Sequence, residues 1–144
     1  MDFDLIKISL KAFDVPTTVE AYRKLAYLVP YPMHLGITEA GTSKAGSIRS
    51  AVGLGYLLYE GIGDTIRVSL SADSKEEIVA GYEILKSLNL REKGTTLVAC
   101  PSCGRADVDV IKLANTVDTL LQEKSLSLIH ISEPTRLGMI SYAV

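Results

Sequence analysis

Cys100-Pro101-Ser102-Cys103 places both of the chain's thiols on one turn, after the β-branched run Thr95-Thr96-Leu97-Val98 and ahead of a helix-like stretch from Ala106. Two sulfurs at that spacing can hold one metal or cluster, or close a redox disulfide. They supply only two ligands where zinc or an iron-sulfur cluster takes three or four. Elsewhere the residues with chemistry stand where strands are expected to end. Lys11 and Asp14 follow a first strand, Thr38 and Glu39 a second, and Ser69 with Ser71 to Asp73 a third. A lysine at such an exit is a mobile point charge suited to phosphate. Glu39 becomes a proton donor if burial raises its pKa. The turn from Ser69 to Ser74 precedes a helix whose first amides can meet an anion. His34, inside the second expected strand, either faces a barrel lumen, where it binds substrate or shuttles a proton, or is a hydrogen-bonded core residue.

The elements that must carry these groups follow from the apolar pattern. Leu5 to Leu10 alternates as a strand, and Val19, Tyr22, Leu25, Ala26 and Val29 recur at helical spacing after Pro16, which suits a first turn. Met33 to Ile37 is a short strand. Ile48, Ala51, Val52, Leu54, Tyr56, Leu57 and Leu58 describe a largely buried helix, and Thr65 to Leu70 a third strand. Ile78, Gly81, Tyr82, Leu85 and Leu88 then share one face of a helix for which Ser74 is the expected N-cap and Glu77 the capping-box partner. Gly53-Leu54-Gly55 lies inside a helix pattern without the third glycine of a dinucleotide fingerprint, so its glycines are expected to allow close helix–sheet packing. Strands alternating with helices imply parallel pairing through right-handed crossovers, an α/β sheet or barrel. Three βα units do not close a barrel, which takes about 250 residues, and the chain is expected to be cut from a longer protein.

The composition, 47% apolar and 22% charged over 144 residues with net charge −2, is that of a globular protein. No basic excess points to nucleic acid. No apolar run is long enough to cross a membrane, and Met1-Asp2-Phe3-Asp4 lacks the basic start of a signal peptide, so a cytoplasmic location is expected. Val110, Leu113, Ala114, Val117, Leu120 and Leu121 form one more helical stripe, ending near Lys124. From Leu126 to Val144 neither helical nor alternating order continues. That segment, 126–144, looks like a translated sequencing adapter, which would remove His130 and Glu133 from consideration.

Four strings in order, His34-Leu35-Gly36-Ile37-Thr38-Glu39-Ala40-Gly41, Val52-Gly53-Leu54-Gly55, Glu60 to Leu70 and Ala99-Cys100-Pro101-Ser102-Cys103, closely resemble the 4-hydroxy-3-methylbut-2-enyl diphosphate synthases of isoprenoid biosynthesis. The resemblance covers residues 3–124. It implies that residues 1–91 are the last three βα units of a (β/α)8 TIM barrel and that residues 92–125 open a small α/β iron-sulfur domain. It further implies that Cys100 and Cys103 are ligands of a [4Fe-4S] cluster, that Lys11 and Ser69 hold a diphosphate, and that Glu39 is an acidic catalytic residue beside the substrate. His34 belongs to the same motif as a substrate-binding position. The implied reaction is reductive ring opening of 2-C-methyl-D-erythritol 2,4-cyclodiphosphate by two electrons from flavodoxin or ferredoxin, in a homodimer. The third cysteine and a glutamate ligand are not in this chain, so the chain itself is expected to be inactive. The alternative from another class is a small zinc module in which Cys100 and Cys103 of two subunits form a closed four-thiolate site. A thiol oxidoreductase is weaker still, because no thioredoxin-like pattern surrounds the pair.

Overall fold

The structure, a computed structural model, describes residues 5–91, 96–99, 108–124 and 129–130. Two compact units divide the chain, Met1–Glu92 and Lys93–Val144.

The first unit is three consecutive strand-to-helix steps. Helix α1 (Val15–Ala26) begins at Asp14, whose carboxylate accepts from Thr17 N at 2.9 Å, with Pro16 in the first turn. Strand β1 (His34–Gly36) leads to α2 (Ser43–Tyr59), and β2 (Thr65–Arg67) to α3 (Ser74–Ser87). The strands run parallel, pairing His34 with Thr65, Leu35 with Ile66 and Gly36 with Arg67. On the other side of β1 a regular strand over Leu5–Leu10 does not form. The segment instead touches β1 at two parallel bridges, Ile8 to Met33 and Ala12 to Ile37.

The cause of the interruption is a phenol. Tyr22 of α1 is 0% exposed, and its hydroxyl reaches between the segments at the level of Leu10. The oxygen accepts from Leu10 N at 2.9 Å and has the carbonyls of Leu10 and His34 at 2.8 and 2.5 Å, one of which takes its proton. A side chain thus does the work of the missing ladder bonds, and the backbone polar groups stay paired.

The core lies between the strands and the helices. Met33 and Leu35 pack there with Tyr22, Leu54, Leu57, Val68 and Ile84. Helix α2 is less buried than the largely buried helix its apolar run suggested. Ile48, Val52 and Tyr56 are exposed, and the packed face is Gly46, Ser50, Gly53, Leu54 and Leu57. Gly53 allows a close approach there, since a Cβ would stand 2.8 Å from Ile37 Cδ1 and push that side chain aside, whereas Gly55 meets nothing within 4 Å. Helix α3 also differs from its expected stripe. Ile84 is its buried residue, while Ile78, Tyr82 and Leu85 line an open groove of ≈ 290 Å³ beside β2. The N-cap is Asp73, accepting from Lys75 N at 2.8 Å, and not Ser74. Glu77 accepts from Leu70 N at 2.8 Å, so it braces the incoming loop where a capping-box bond was expected.

The turn entering β2 is fixed from below. Gly63 has φ of 113°, and Asp64 accepts from Met33 N at 2.7 Å, locking the start of β2 to the start of β1.

In the second unit β3 (Leu97–Val98) precedes α4 (Val110–Lys124), which Asp109 opens by accepting from Lys112 N at 3.0 Å. Strand β4 (Ile129–His130), inside the segment expected to be foreign, pairs in parallel with β3. Cys100 and Cys103 lie outside the described residues, as do Glu133 and the rest of 131–144. No helix among the described residues is long and apolar enough to cross a membrane.

If the Tyr22 hydroxyl replaces strand ladder bonds, Tyr22→Phe destabilises the 144-residue chain by about 1–3 kcal/mol through the groups left unpaired. Urea unfolding monitored by circular dichroism measures this. An unchanged midpoint would show that water or a backbone shift satisfies Leu10 without the phenol.

Candidate functional site

Side chains alternate along a strand, so the residues that build the core assign their neighbours to the opposite face. Met33, Leu35 and Ile37 are buried against helices, which turns His34, Gly36 and Thr38 to the other side. Val68 is buried in the same way and Leu10 packs against the core, so Thr65, Arg67 and Ser69 join Ser9 and Lys11 on that opposite face. That opposite face of the three segments is therefore basic and hydroxyl-rich. It carries three of the four expected site residues of this unit, Lys11, His34 and Ser69.

His34 is half-buried, and its Nδ1 lies 2.8 Å from Thr65 Oγ1. Desolvation holds its pKa below the ordinary 6.5, and the positive charges of Lys7, Arg67 and Lys11 push it the same way. A neutral ring follows at pH 7. It can accept or donate one proton at each nitrogen but contributes no charge to an anion. The ring lies on the strand face opposite Leu35, and the hydrogen bond with Thr65 orients it.

Glu39 stands apart from the strand row. It follows β1 in a left-handed conformation, φ 53°, which costs a non-glycine residue on the order of 1–3 kcal/mol and persists only where the surroundings enforce it. Here they do. Ala40, next in sequence, is 0% exposed and its carbonyl accepts from Arg49 Nη1 at 2.7 Å, while Gly41 O accepts from Ser71 N at 2.8 Å. Ser43 Oγ donates to Glu76, tying α2 to α3. The close fit extends to Gly46, where a Cβ would lie 3.0 Å from Gly41 O. Glu39 is nevertheless exposed among the described residues. Asp14 and Asp73, also at strand exits, are occupied as helix caps.

Two buried polar atoms on this face have no hydrogen-bond partner among the described residues, Thr38 Oγ1 and Arg67 Nε. Arg67 and Thr65 were not singled out from the sequence, although counting by two from the buried Leu35 and its partner Ile66 marks both. Among the described residues no three His, Cys, Asp or Glu side chains converge as a metal site.

The GcpE TIM-barrel domain family matches residues 1–82. The chain belongs to this family. A relative from Dehalococcoides mccartyi (strain CBDB1), named 4-hydroxy-3-methylbut-2-en-1-yl diphosphate synthase (flavodoxin), is 57% identical over 144 residues, 100% of this chain and 39% of the relative. One of the same name from Geobacter sulfurreducens is 59% identical over 121 residues, 84% of this chain and 34% of the relative. A third, from Symbiobacterium thermophilum, is 51% identical over 144 residues and 37% of its own length. The chain thus spans less than two fifths of the curated relatives it matches. Its α/β fold is that of part of a TIM barrel, an architecture in which the strand face turned away from the helices is the lumen side. Nothing in the family match favours the zinc module.

Because the folded-state pKa of His34 is lowered, the stability that its neutral form contributes is present above about pH 6.5 and lost as pH falls through the lowered value. An NMR titration of the imidazole, assigned with His34→Asn, is expected to give a midpoint below 6.5 that rises in Lys7→Gln. A midpoint at or above 6.5 would mean that the ring is neither desolvated nor surrounded by cations.

Proposed function

We propose that this chain is a piece of a 4-hydroxy-3-methylbut-2-en-1-yl diphosphate synthase, an enzyme that reductively opens 2-C-methyl-D-erythritol 2,4-cyclodiphosphate with electrons from flavodoxin. The observation that carries the proposal is the basic lumen face, on which Lys11, Arg67 and Ser69 stand together in a family whose relatives are named for a diphosphate product. In a TIM barrel the reacting groups gather where strands end in βα loops, and Lys11, Glu39 and Ser69 occupy that end of three successive segments.

Lys11 supplies a positive charge to the diphosphate, and Ser69 a hydroxyl donor. The neutral His34 ring leaves that charge balance unaltered and offers a hydrogen bond to the organic part of the substrate. Glu39, strained and exposed in this chain, is the acidic group that approaches the substrate carbon skeleton. Its proton-transfer role requires a cover from residues beyond this chain, since burial is what brings a carboxyl into the working range.

The cysteines fit an iron-sulfur cluster in kind and fall short in number. Cys100 and Cys103 are soft thiolates at a ligand spacing, and a [4Fe-4S] cluster takes further ligands that residues 5–91 do not gather. When bound, such a cluster delivers electrons one at a time to an otherwise redox-inert site. We infer further that the complete enzyme is a cytoplasmic homodimer. The segment 126–144 is proposed to be non-native, its lack of helical or alternating order being the support. Sequencing the source locus through codon 126 decides this, since a frame that reads on unchanged to Val144 would make the segment part of the protein.

A chimera in which residues 1–124 replace the matching part of the Dehalococcoides relative tests the function. It is expected to consume the cyclodiphosphate with reduced flavodoxin, while the 144-residue chain alone shows no turnover. Lys11→Ala in the chimera is expected to lower kcat/KM between about tenfold and a hundredfold, the loss of one charged hydrogen bond. A folded chimera without turnover, or one indifferent to Lys11, would contradict the proposal.

A further inference from the structure

Tyr22 stands in the place of one rung of a parallel ladder. Below it the first segment and β1 pair regularly, with Ile8 N donating to Pro32 O at 2.9 Å and His34 N to Ile8 O at 2.7 Å. Above it Thr38 N donates to Ala12 O at 3.0 Å. The bridges from Ile8 to Met33 and from Ala12 to Ile37 keep one register, and in that register the rung between them runs from Leu10 N to His34 O. The phenol oxygen fills it. Leu10 N donates to Tyr22 Oη at 2.9 Å, and Oη lies 2.5 Å from His34 O. Two contacts in series thus replace one hydrogen bond, whose donor and acceptor ordinarily lie about 2.9 Å apart. The segment is held off β1 at Leu10 and returns to it at Ala12.

Lys11 is the one residue between the inserted rung and the restored bridge, and both of its neighbours meet α1. Tyr22 engages Leu10 through N and O, at 2.9 and 2.8 Å. Thr18, one turn earlier on the same helix face and 1% exposed, donates to Asp14 O at 2.7 Å with Ala12 O 3.5 Å away. The backbone from which the Lys11 side chain departs is therefore set from the far side of the sheet. A phenylalanine ring would fill the same core volume, so what the hydroxyl adds is the rung. Extra residues inserted into a ladder bend a strand and re-aim side chains beside active sites, and an inserted hydroxyl does the same without lengthening the chain.

We propose that Tyr22 is a positioning residue of the active site: its hydroxyl, inserted between Leu10 and His34, sets the spacing of the first segment from β1 and so aims Lys11 at the substrate. The inference rests on the diphosphate function proposed above and adds no contact to substrate. Tyr22 acts through Lys11, so its loss is felt only while the Lys11 ammonium is there to be misplaced.

A double-mutant cycle in the full-length chimera tests this, with KM and kcat for the cyclodiphosphate read separately and normalised to folded enzyme. Tyr22→Phe is expected to raise KM about three- to tenfold and to leave kcat within about twofold, since a misplaced charge weakens substrate and transition state alike. In the Lys11→Ala background the same change is expected to move KM by less than about twofold. Ile84→Val, a core change on α3 that also lowers stability, is expected to leave KM unchanged. If Tyr22→Phe does not fold in buffer, the cycle is read in sucrose, which favours the folded state. An unchanged KM in Tyr22→Phe, or an equal rise with and without Lys11, would overturn the positioning role, while a loss in Lys11→Ala keeps the diphosphate function. If Lys11→Ala itself costs nothing, the diphosphate function falls and the positioning role with it.

Discussion

The site depends on a two-residue period held in register between parallel strands. Leu35 is 0% exposed and Val68 6% exposed because both face the helices. Each residue beside them is turned by that fact to the lumen. A slip of β2 by one residue against β1 would turn Arg67 into the core and Val68 to the opposite face, so the hydrophobic burial of the core also fixes the polar site. The register is protected at its lower end by backbone and side chain together. Asp64 N and Thr65 N both donate to Met33 O, at 2.9 and 3.2 Å, while the Asp64 carboxylate takes Met33 N. A Cβ at Gly63 would stand 2.4 Å from Leu35 Cδ1, so the turn has to pass where only glycine fits. The Glu60-to-Leu70 string therefore divides in function: its beginning secures register, and its Arg67 and Ser69 face the lumen.

At the upper end the restraints run between loops. Arg49 holds Ala40 O, Ser71 N holds Gly41 O, and Glu77 holds Leu70 N. Each bond joins a loop that follows a strand to a helix or to the next loop. Together they keep Glu39 in a conformation its side chain disfavours. Strain of this kind is stable only where neighbouring packing over-determines the backbone, and the buried Ala40 supplies that packing. The loop is preorganised before any ligand arrives.

How much of this was legible follows from which residues carried a single meaning. The three helices of the first unit could be located because Pro16, the Ser-Ala-Asp-Ser turn and the apolar spacing agreed with one another. Their exact ends could not, since Asp73 and Ser74 are equally good caps and only the structure shows whose oxygen meets Lys75 N. In α2 nearly every position from Ala51 to Tyr59 is apolar or glycine, so periodicity could not choose a face. The choice was made by close approach to the strands, which favours Gly46, Ser50 and Gly53 over the larger Ile48 and Val52. The first strand failed for a different reason. Its alternation is real, yet Tyr22, twelve residues on, takes the Leu10 hydrogen bonds, and sequence patterning has no register of such a side-chain intrusion. Lys11 and Ser69 were singled out from their place at strand ends and His34 as an imidazole inside a strand, whereas Arg67, also inside a strand, was not singled out.

The Tyr22 intrusion also bears on how the lumen works. Lys11 follows Leu10 directly, and His34 contributes the carbonyl that lies 2.5 Å from the phenol oxygen. One hydroxyl therefore fixes the backbone beside two lumen groups from the opposite side of the sheet. A fully bonded ladder would draw the first segment against β1 along its whole length. Instead the segment is held at Ile8 and Ala12 with the phenol between them. Lys11 is thus held beside β1 by the Ala12 bridge at the strand end and by a helix side chain below it. Helix α1 has two effects on the site, then: it covers the core and sets the position of the first cation relative to Gly36 and Arg67. Packing changes in α1 should be felt in the lumen because this hydroxyl, buried and fully engaged, has no alternative partner to which it can yield.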